Sequence, residues 1–431
     1  MRVLITNLSV AQNSGTESVV ELLADGLRGA GHQTMLLTTN LGDMADRMRR
    51  RGHHVVDRIA EIVDKPDIIH GQHLTPCLTA LARFPDVPAV FSCHSSFFEV
   101  EAPMLHPQIC HWIAVDEACR AKCLSRGIPE DKLDLIYNAV DLERFRSRQP
   151  LPARPRRGLL LTKNFEHQQA VREACARTGI QLDELGPATN RYSNQIEKDL
   201  LSYDVVFATA RMAIEAAAVG CSIVVCDARG FAGILDTRSM ESWRRANLGV
   251  SLLNRPTTVE NLMAAISSYN ADDAAAVSAY FRDAAGSSYF VHEHLRIYDQ
   301  VLRAGLRATP EEVAMGTASW IEEIAVSVPH RKWFRMVKEM HGWPDAIDQP
   351  TMMELLRANR KTLESNSALL MALTQSTGAS TQDGPGSQAI LRQIDDRVSR
   401  LSRFVDEVSR LYNGMVPLFI RKLLLRIRMR G

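Results

Sequence analysis

The sequence predicts an α/β fold of two consecutive Rossmann-like domains, followed by an all-helical C-terminal extension with coiled-coil-like segments. Three observations predict it. Short apolar runs alternate with amphipathic helical stretches from the first residues onward; a proline- and arginine-rich break at residues 149–157 is followed by the same alternation; and from about residue 309 the strand-like runs stop. Runs that are apolar on both faces belong to parallel strands covered on both sides, and helices that alternate with them supply the cover. At 431 residues the chain is long enough for two or three such cores.

The elements follow in order. Residues 3–6, 34–38, 67–70, 89–93, 112–115 and 133–137 are β-branched or leucine-rich runs of strand length. Between them, residues 17–30 carry Val20, Leu23 and Leu27 at helical spacing, and 117–126 is a second helix, which together make residues 1–150 the first domain. The break at 149–157 holds three prolines and three arginines in nine residues and continues neither a helix nor a central strand. Strands are then expected at 158–161, 204–207 and 222–226, and helices at 168–178 and 212–219, within a second domain spanning 157–290. Helical patterns at 258–269, 272–282 and 291–306 close that second domain, with 291–308 as its closing helix.

Residues 309–431 read as helical. Met352, Leu356, Asn359, Leu363, Asn366, Leu370 and Leu373 alternate at spacings of four and three; after a flexible stretch at 378–386, Leu391, Ile394, Val398, Leu401, Val405, Val408 and Tyr412 resume the pattern. Asparagines at two seam positions suit register-setting in a helix pair, so a homo-oligomer through this region is expected; the alternative is packing on the α/β body. Residues 417–430 carry five basic side chains among Phe, Leu and Ile, with no Asp or Glu after Glu407. This segment is too short and too charged to span a bilayer but suits an anionic membrane surface, unless it packs on the coiled region instead.

Composition narrows the partners. With 51 Lys+Arg against 50 Asp+Glu, the net charge of +1 gives no reason to expect a nucleic acid. No run of about 18 apolar residues is present, and the opening strand runs straight into a polar loop. The expected location is therefore cytoplasmic, peripheral at the inner face of the cell membrane if the tail binds there. Eight cysteines lie between 77 and 226 without a Cys-x-x-Cys pair, so they read as small buried hydrophobes in a reducing compartment.

Several residues stand where chemistry is done. The loop after the first strand is polar, holds Gly15 and Thr16, and runs into a helix whose N–H groups suit a phosphate or carboxylate. It is neither a Walker A sequence nor Gly-x-Gly-x-x-Gly, and an ordinary connection with Thr16 as cap is the alternative. His70 and His94 end predicted parallel strands, where open α/β sheets bind ligands. A zinc site of His70, His73 and His94 has no acidic residue or His-Glu-x-x-His to support it, so no metal is expected. His94 is the better single polar contact, with a satisfied histidine as the alternative. Lys163 lies just beyond the first strand of the second domain. Arg211 and Glu215 are four apart on one helical face: either a surface ion pair, or an arginine and helix N-terminus meeting a diphosphate while the glutamate accepts from ribose hydroxyls.

Taken together, these segments resemble the GT-B glycosyltransferases, specifically glycosyltransferase family 4, over roughly residues 1–305. The carrying residues are Gly15 and Glu17, then Leu27-Arg28-Gly29-Ala30-Gly31-His32; the strands ending in His70 and His94; Asn138-Ala139-Val140-Asp141 with Phe145; and Glu215, which matches the second glutamate of the family's paired motif. Three positions depart from it. The first motif glutamate falls at Phe207, the usual Gly-Arg at Thr162-Lys163, and the following lysine is missing, with His167 nearby.

The resemblance implies a retaining transfer of a sugar from a nucleotide-diphosphate sugar to a glycan or lipid-linked acceptor, in surface polysaccharide assembly, without metal or other cofactor. It implies His94, Lys163 and Arg211 as catalytic residues, and Gly15, Thr16, Asn138, Lys163, Arg211 and Glu215 as donor-binding residues. Catalysis would be chiefly electrostatic, with fixed cations and N–H dipoles stabilising the leaving diphosphate. The rival reading is a non-catalytic GT-B scaffold or a glycan- or partner-binding oligomer, favoured by Phe207. Sugar-nucleotide epimerisation shares the fold, but no paired acid and base residues argue for it.

Overall fold

Each apolar run of the first half becomes a strand of one parallel sheet. In the computed structural model, which describes residues 1–327 apart from 12–14, 97–100, 163, 190 and 194, the order is β1 (Arg2–Asn7), α1 (Gly15–Gly29), β2 (Gln33–Thr38), α2 (Asp43–Arg50), β3 (His54–Val56), β4 (Ile68–Gly71), α3 (Leu74–Arg83), β5 (Ala89–Cys93), β6 (Ile109–Ala114), α4 (Glu117–Ser125) and β7 (Leu133–Leu135). The sheet runs β3-β2-β1-β4-β5-β6-β7, all parallel, and β1 in its interior pairs Leu4 with Met35 on one side and Ile69 on the other. The order of the strands reverses between β1 and β4, so the loops after them part and leave a crevice at their carboxyl ends.

The second half repeats the plan with β8 (Arg157–Leu161), α5 (Gln168–Thr178), β9 (Gln181–Leu185), α6 (Ile196–Asp199), β10 (Val205–Ala208), α7 (Ala210–Val219), β11 (Ser222–Asp227), β12 (Gly230–Ile234), α8 (Met240–Arg245), α9 (Val259–Ser267) and α10 (Ala271–Ala284). Its sheet runs β12-β11-β10-β8-β9, parallel except for β12. The arginine-rich break is irregular and pinned by one carboxylate: Asp204 accepts from the Arg156 and Arg157 amides (2.9 and 3.1 Å) and pairs with Arg148 (2.9 Å).

Two helices follow, α11 (Ser287–Ala304) and α12 (Pro310–Ser327). Here the sequence reading needs correction, because α11 does not close the second sheet. Phe290, Val291, Ile297, Tyr298 and Val301 form its buried stripe and enter the core of the first sheet, beside Val20, Leu23 and Leu27 of α1. The contact is close. A Cβ on Gly26 of α1 would stand 2.2 Å from Val291 Cγ2. Where the chain leaves the first sheet and where it returns are joined, since the Val140 amide donates to Ala285 (2.8 Å). α12 also packs there, with Trp320 Nε1 donating to Leu105 O (2.7 Å) and His106 bonded to Thr317 (3.1 Å).

Residues 1–322 form one contact unit and 323–431 another, of which only 323–327 are described. The heptad segments, the stretch at 378–386 and the basic tail at 417–430 lie outside the described residues. Among the described residues no helix is long and apolar enough to cross a membrane. All eight cysteines are free thiols, seven of them buried.

Candidate functional site

The loop from β1 to α1 is shaped by one residue of the helix it precedes. Glu17, buried in the first turn of α1, reaches back to accept from Ser9 Oγ (2.7 Å) and from the Ala11 amide (2.9 Å). Gly15 and Thr16 therefore start α1 beside a tethered loop, and the space next to Gly15 is open: a Cβ there would meet nothing within 4 Å. On the other side of the crevice, His73 caps α3 with φ at 58°, a left-handed conformation that non-glycine residues adopt only when held. The Leu8 amide holds it, donating to Nδ1 at 3.3 Å, and Nε2 lies 3.5 Å from Glu101.

A group of buried histidines stands behind this crevice. His70 at the end of β4 uses both ring nitrogens, with Tyr298 of α11 (2.5 Å) and with Ser92 of β5 (2.9 Å), and its ring stacks on His294 at 5.5 Å. That leaves His70 no lone pair for zinc, and among the described residues no three His, Cys, Asp or Glu side chains converge for a metal. His94 follows β5. Its Nε2 is enclosed without a partner, and burial lowers its pKa to about 4 against the opposing pull of Glu101. Burial takes His294 to about 4 as well and holds His70 well below the usual histidine range. These imidazoles are neutral at physiological pH.

In the second half, Arg211 and Glu215 do form their i,i+4 pair, Nε to Oε1 at 2.7 Å. It is not the surface pair that spacing alone allows, because each residue is only 8% exposed. Arg211 Nη1 is buried with no partner. Thr209 at the N-cap gives α7 no side-chain hydrogen bond, so the helix's orphan N–H groups face the carboxyl end of β10. Ala210 has φ at 52° and donates its amide to Leu248 O (2.7 Å).

The loop after β8 is pressed against β9. The Thr162 amide donates to Leu185 O (3.0 Å), and a Cβ on Gly186, at φ 123°, would stand 2.1 Å from Thr162 O. Lys163, the next residue, lies outside the described residues. His167 is 3% exposed, neither of its ring nitrogens has a partner, and burial lowers its pKa against the attraction of Asp227. Phe207, at the first motif-glutamate position, is wholly buried in the core between β8, β11 and α9.

Asn138 stands between the two halves. Its amide donates to Asn247 Oδ1 (3.2 Å), its carbonyl accepts from Arg244 Nη2 (2.6 Å), and its own Oδ1 is buried without a partner. The α1 helix touches α7, which puts the helix of Gly15 and Thr16 against that of Arg211 and Glu215. Sequence reasoning missed Arg244, Asn247, His294 and Tyr298. None lies in a motif, and the last two reach the site only because α11 crosses back to the first sheet.

Among the described residues, most buried polar side chains with an unpartnered atom lie at or beyond the carboxyl ends of strands, the exceptions being Gln108 just before β6 and Arg244 on α8. Asn7, Gln72, His94 and Asn138 follow strands of the first sheet, and His167, Gln168 and Arg211 follow strands of the second. Buried polar groups are ordinarily paired, so such a concentration at the carboxyl ends of parallel strands marks a binding surface.

Comparison with known proteins bears on this arrangement. Residues 13–144 match the family model of Glycosyltransferase Family 4. Among solved structures the chain is similar to Anabaena HepE, in complex with UDP and glucose, at 13% identity over 70% of this chain and 100% of that one, with a TM-score of 0.52. It is also similar to the lipopolysaccharide outer core galactosyltransferase WaaB in its apo form (12% identity, 70% and 100% covered, TM-score 0.46) and to MurG of Acinetobacter baumannii (12%, 68% and 99%, 0.40). No curated protein matches. At such identities a structural likeness speaks for the fold alone, and the family match adds the first half. Residues 13–144 are thus similar to Glycosyltransferase Family 4, and the two Rossmann-like sheets with polar groups at their strand ends have the GT-B fold.

Proposed function

We propose that the chain is a retaining glycosyltransferase that moves a sugar from a nucleotide-diphosphate sugar to a glycan or lipid-linked acceptor in surface polysaccharide assembly. The observation that carries this reading is the gathering of unpartnered buried polar atoms at the strand ends of both sheets, three of them on predicted site residues: His94, Asn138 and Arg211. A ligand with hydroxyls and phosphates supplies the missing partners.

The chemistry follows from charge. As the bond between the sugar C1 and the diphosphate oxygen breaks, negative charge collects on the diphosphate. Arg211, Lys163 and the N–H groups of α7 stabilise it, and Glu215 fixes the guanidinium through Nε and accepts from the ribose with its other oxygen. The acceptor hydroxyl forms the new bond to C1 on the face the diphosphate leaves, and its proton passes to the departing phosphate oxygen. No resident cofactor enters this scheme. His94, neutral at working pH, serves the sugar or phosphate as a hydrogen-bonding group rather than as a cation. Gly15 and Thr16 at the start of α1, and Asn138, complete the donor side.

One observation favours a different reading, a non-catalytic scaffold or a glycan- or partner-binding oligomer. Phe207 is enclosed in the core and presents nothing to the donor where the family has a glutamate. Calorimetry and hydrolysis assays of the full chain with UDP-, GDP- and ADP-sugars separate the two. Binding with slow hydrolysis of one donor supports the transferase, and no binding of any supports the scaffold. HepE was solved with UDP and glucose, which makes UDP-glucose the first probe. The proposed site of action is the cytoplasmic face of the cell membrane, reached through the basic tail at 417–430. Loss of flotation with anionic vesicles in a chain ending at Gly414 tests that. The homo-oligomer proposed for the helical extension is tested by light scattering.

A further inference from the structure

Among the links between the two halves of residues 1–322, one short segment also fixes the start of α7. Asn247 spends its whole amide on this. Its Nδ2 donates to Val115 O, just past the end of β6, while its Oδ1 accepts from the Asn138 amide (3.2 Å) and from Arg244 Nη1 (2.6 Å). Arg244, 4% exposed, bonds the Asn138 carbonyl through Nη2 (2.6 Å) and lies over the Tyr137 ring at 5.0 Å. The very next residue, Leu248, is fully buried and accepts the amide of Ala210, the first residue of α7, at 2.7 Å. An unbroken path of hydrogen bonds and one peptide unit therefore runs from the ends of β6 and β7 to the helix that carries Arg211 and Glu215.

The backbone of this path is strained. Among the described residues four non-glycines have positive φ, and three of them are Ala210 (52°), Asn247 (49°) and Leu248 (50°). Such conformations persist only where surrounding contacts over-determine them, and they concentrate at functional sites. Asparagine tolerates the left-handed region, but leucine and alanine gain nothing there. What holds them is the set of bonds just named.

We propose that Asn247, with Arg244 and Leu248, is a positioning strap: it sets the N-terminus of α7 by reference to the strand ends of the first sheet. Neither Asn247 nor Arg244 needs to touch the donor. Their effect reaches it through the Ala210 amide and hence through the direction of the first turn of α7. The claim about donor affinity rests on the proposed function, whereas the mechanical link does not.

The test uses the full chain with Asn247→Asp, which keeps the acceptor for Arg244 and Asn138 but turns a carboxylate oxygen on Val115 O. A second variant, Asn247→Gly, keeps the left-handed backbone and removes the amide. Hydrogen exchange is followed by mass spectrometry at the Asn138 and Ala210 amides, with β10 and β11 as internal references, and UDP affinity is measured by calorimetry. The expected result for folded Asn247→Gly is exchange at least ten-fold faster at both amides, unchanged references, and UDP binding weakened at least five-fold, with smaller changes of the same kind for Asn247→Asp, which keeps the acceptor for Asn138. Faster exchange at Asn138 with Ala210 unchanged would overturn the strap. So would faster exchange at Ala210 with UDP affinity equal to wild type. If wild type itself fails to bind UDP, GDP or ADP, the donor reading fails while the exchange data still decide the mechanical link.

Discussion

Acid should unfold this protein through its buried histidines, and His294 isolates the effect. It is 2% exposed, its Nδ1 bonds the Phe290 carbonyl at 2.8 Å, and burial lowers its pKa to about 4. In the unfolded chain the ring returns to the ordinary value of 6.5. The unfolded state therefore takes up the proton first as pH falls. Stability from keeping this ring neutral is complete above about pH 6.5 and is lost as the pH drops toward 4. Integrating the proton uptake between these two values gives a loss of about 2 kcal/mol from pH 7 to pH 5 for this one residue. His70 adds in the same direction, because it is buried beside His294 and repelled by it once protonated.

The perturbation is His294→Asn, which keeps a donor for the Phe290 carbonyl and removes the titrating ring. Urea unfolding at pH 7 and pH 5 gives the stability change with pH for each protein. The variant should lose about 2 kcal/mol less than wild type over this interval, with a further change because His70 is relieved of its neighbour. Equal losses, within about 0.5 kcal/mol, would refute the reasoning, since a buried neutral histidine cannot leave the pH dependence unmoved. An imidazole resonance of His294 titrating above pH 6 would refute it directly.

Three further predictions concern the site and its support. Glu215→Ala strands the Arg211 guanidinium and should cost about 3–5 kcal/mol, with Glu215→Gln costing less, as read from urea unfolding. Tyr298→Phe leaves one nitrogen of buried His70 unpaired and should cost about 1–3 kcal/mol; a thermally neutral variant would mean the Tyr298–His70 bond does not form. Arg211→Gln, which takes the counter-charge from buried Glu215 and so also costs stability, should lower the turnover of the folded protein about 10²–10³-fold, and Lys163→Ala should lower it alike; unaltered kcat in both would remove them from the chemistry.

Much of the fold was legible because parallel strands buried on both faces stand out as apolar runs. Residues 89–93 and helix α5 fall where the pattern puts them. The strands that were missed are of another kind. β3 is three residues long, β9 reads Gln-Leu-Asp-Glu-Leu on an edge, and β12 is an antiparallel edge with two glycines. The placement of α11 was not legible either. Its stripe of Phe290, Val291, Ile297, Tyr298 and Val301 says that one face is buried, but periodicity does not say against which sheet. The same gap hid half of the histidine group, for His70 and His94 are local strand-end residues whereas His294 and Tyr298 arrive from more than 190 positions away. Arg211 and Glu215 were legible as a pair but not as a buried one, since i,i+4 spacing is common to exposed and enclosed helix faces.

The distribution of charge over the two halves has a consequence for how they share the proposed reaction. At the described strand ends of the first sheet the titratable groups include His94 and, behind it, His70 and His294 of α11, all held neutral by burial. A fixed positive group with an unpartnered nitrogen just beyond the end of β10 in the second sheet is Arg211, with the α7 N-terminus beside it. A diphosphate needs cations and a sugar needs uncharged donors and acceptors, so the phosphates belong with the second half and the transferred sugar with the first. The strap through Asn247 then acquires its purpose in this scheme, because the sugar and the phosphates on either side of the breaking bond are held by different halves. Displacement of the α7 N-terminus by about 1 Å would misalign leaving group and acceptor, which is enough to cost about 10²-fold in rate. A rigid link between the halves protects that alignment, and the left-handed backbone at Asn247 and Leu248 is what such a link looks like when no glycine is there to relieve it.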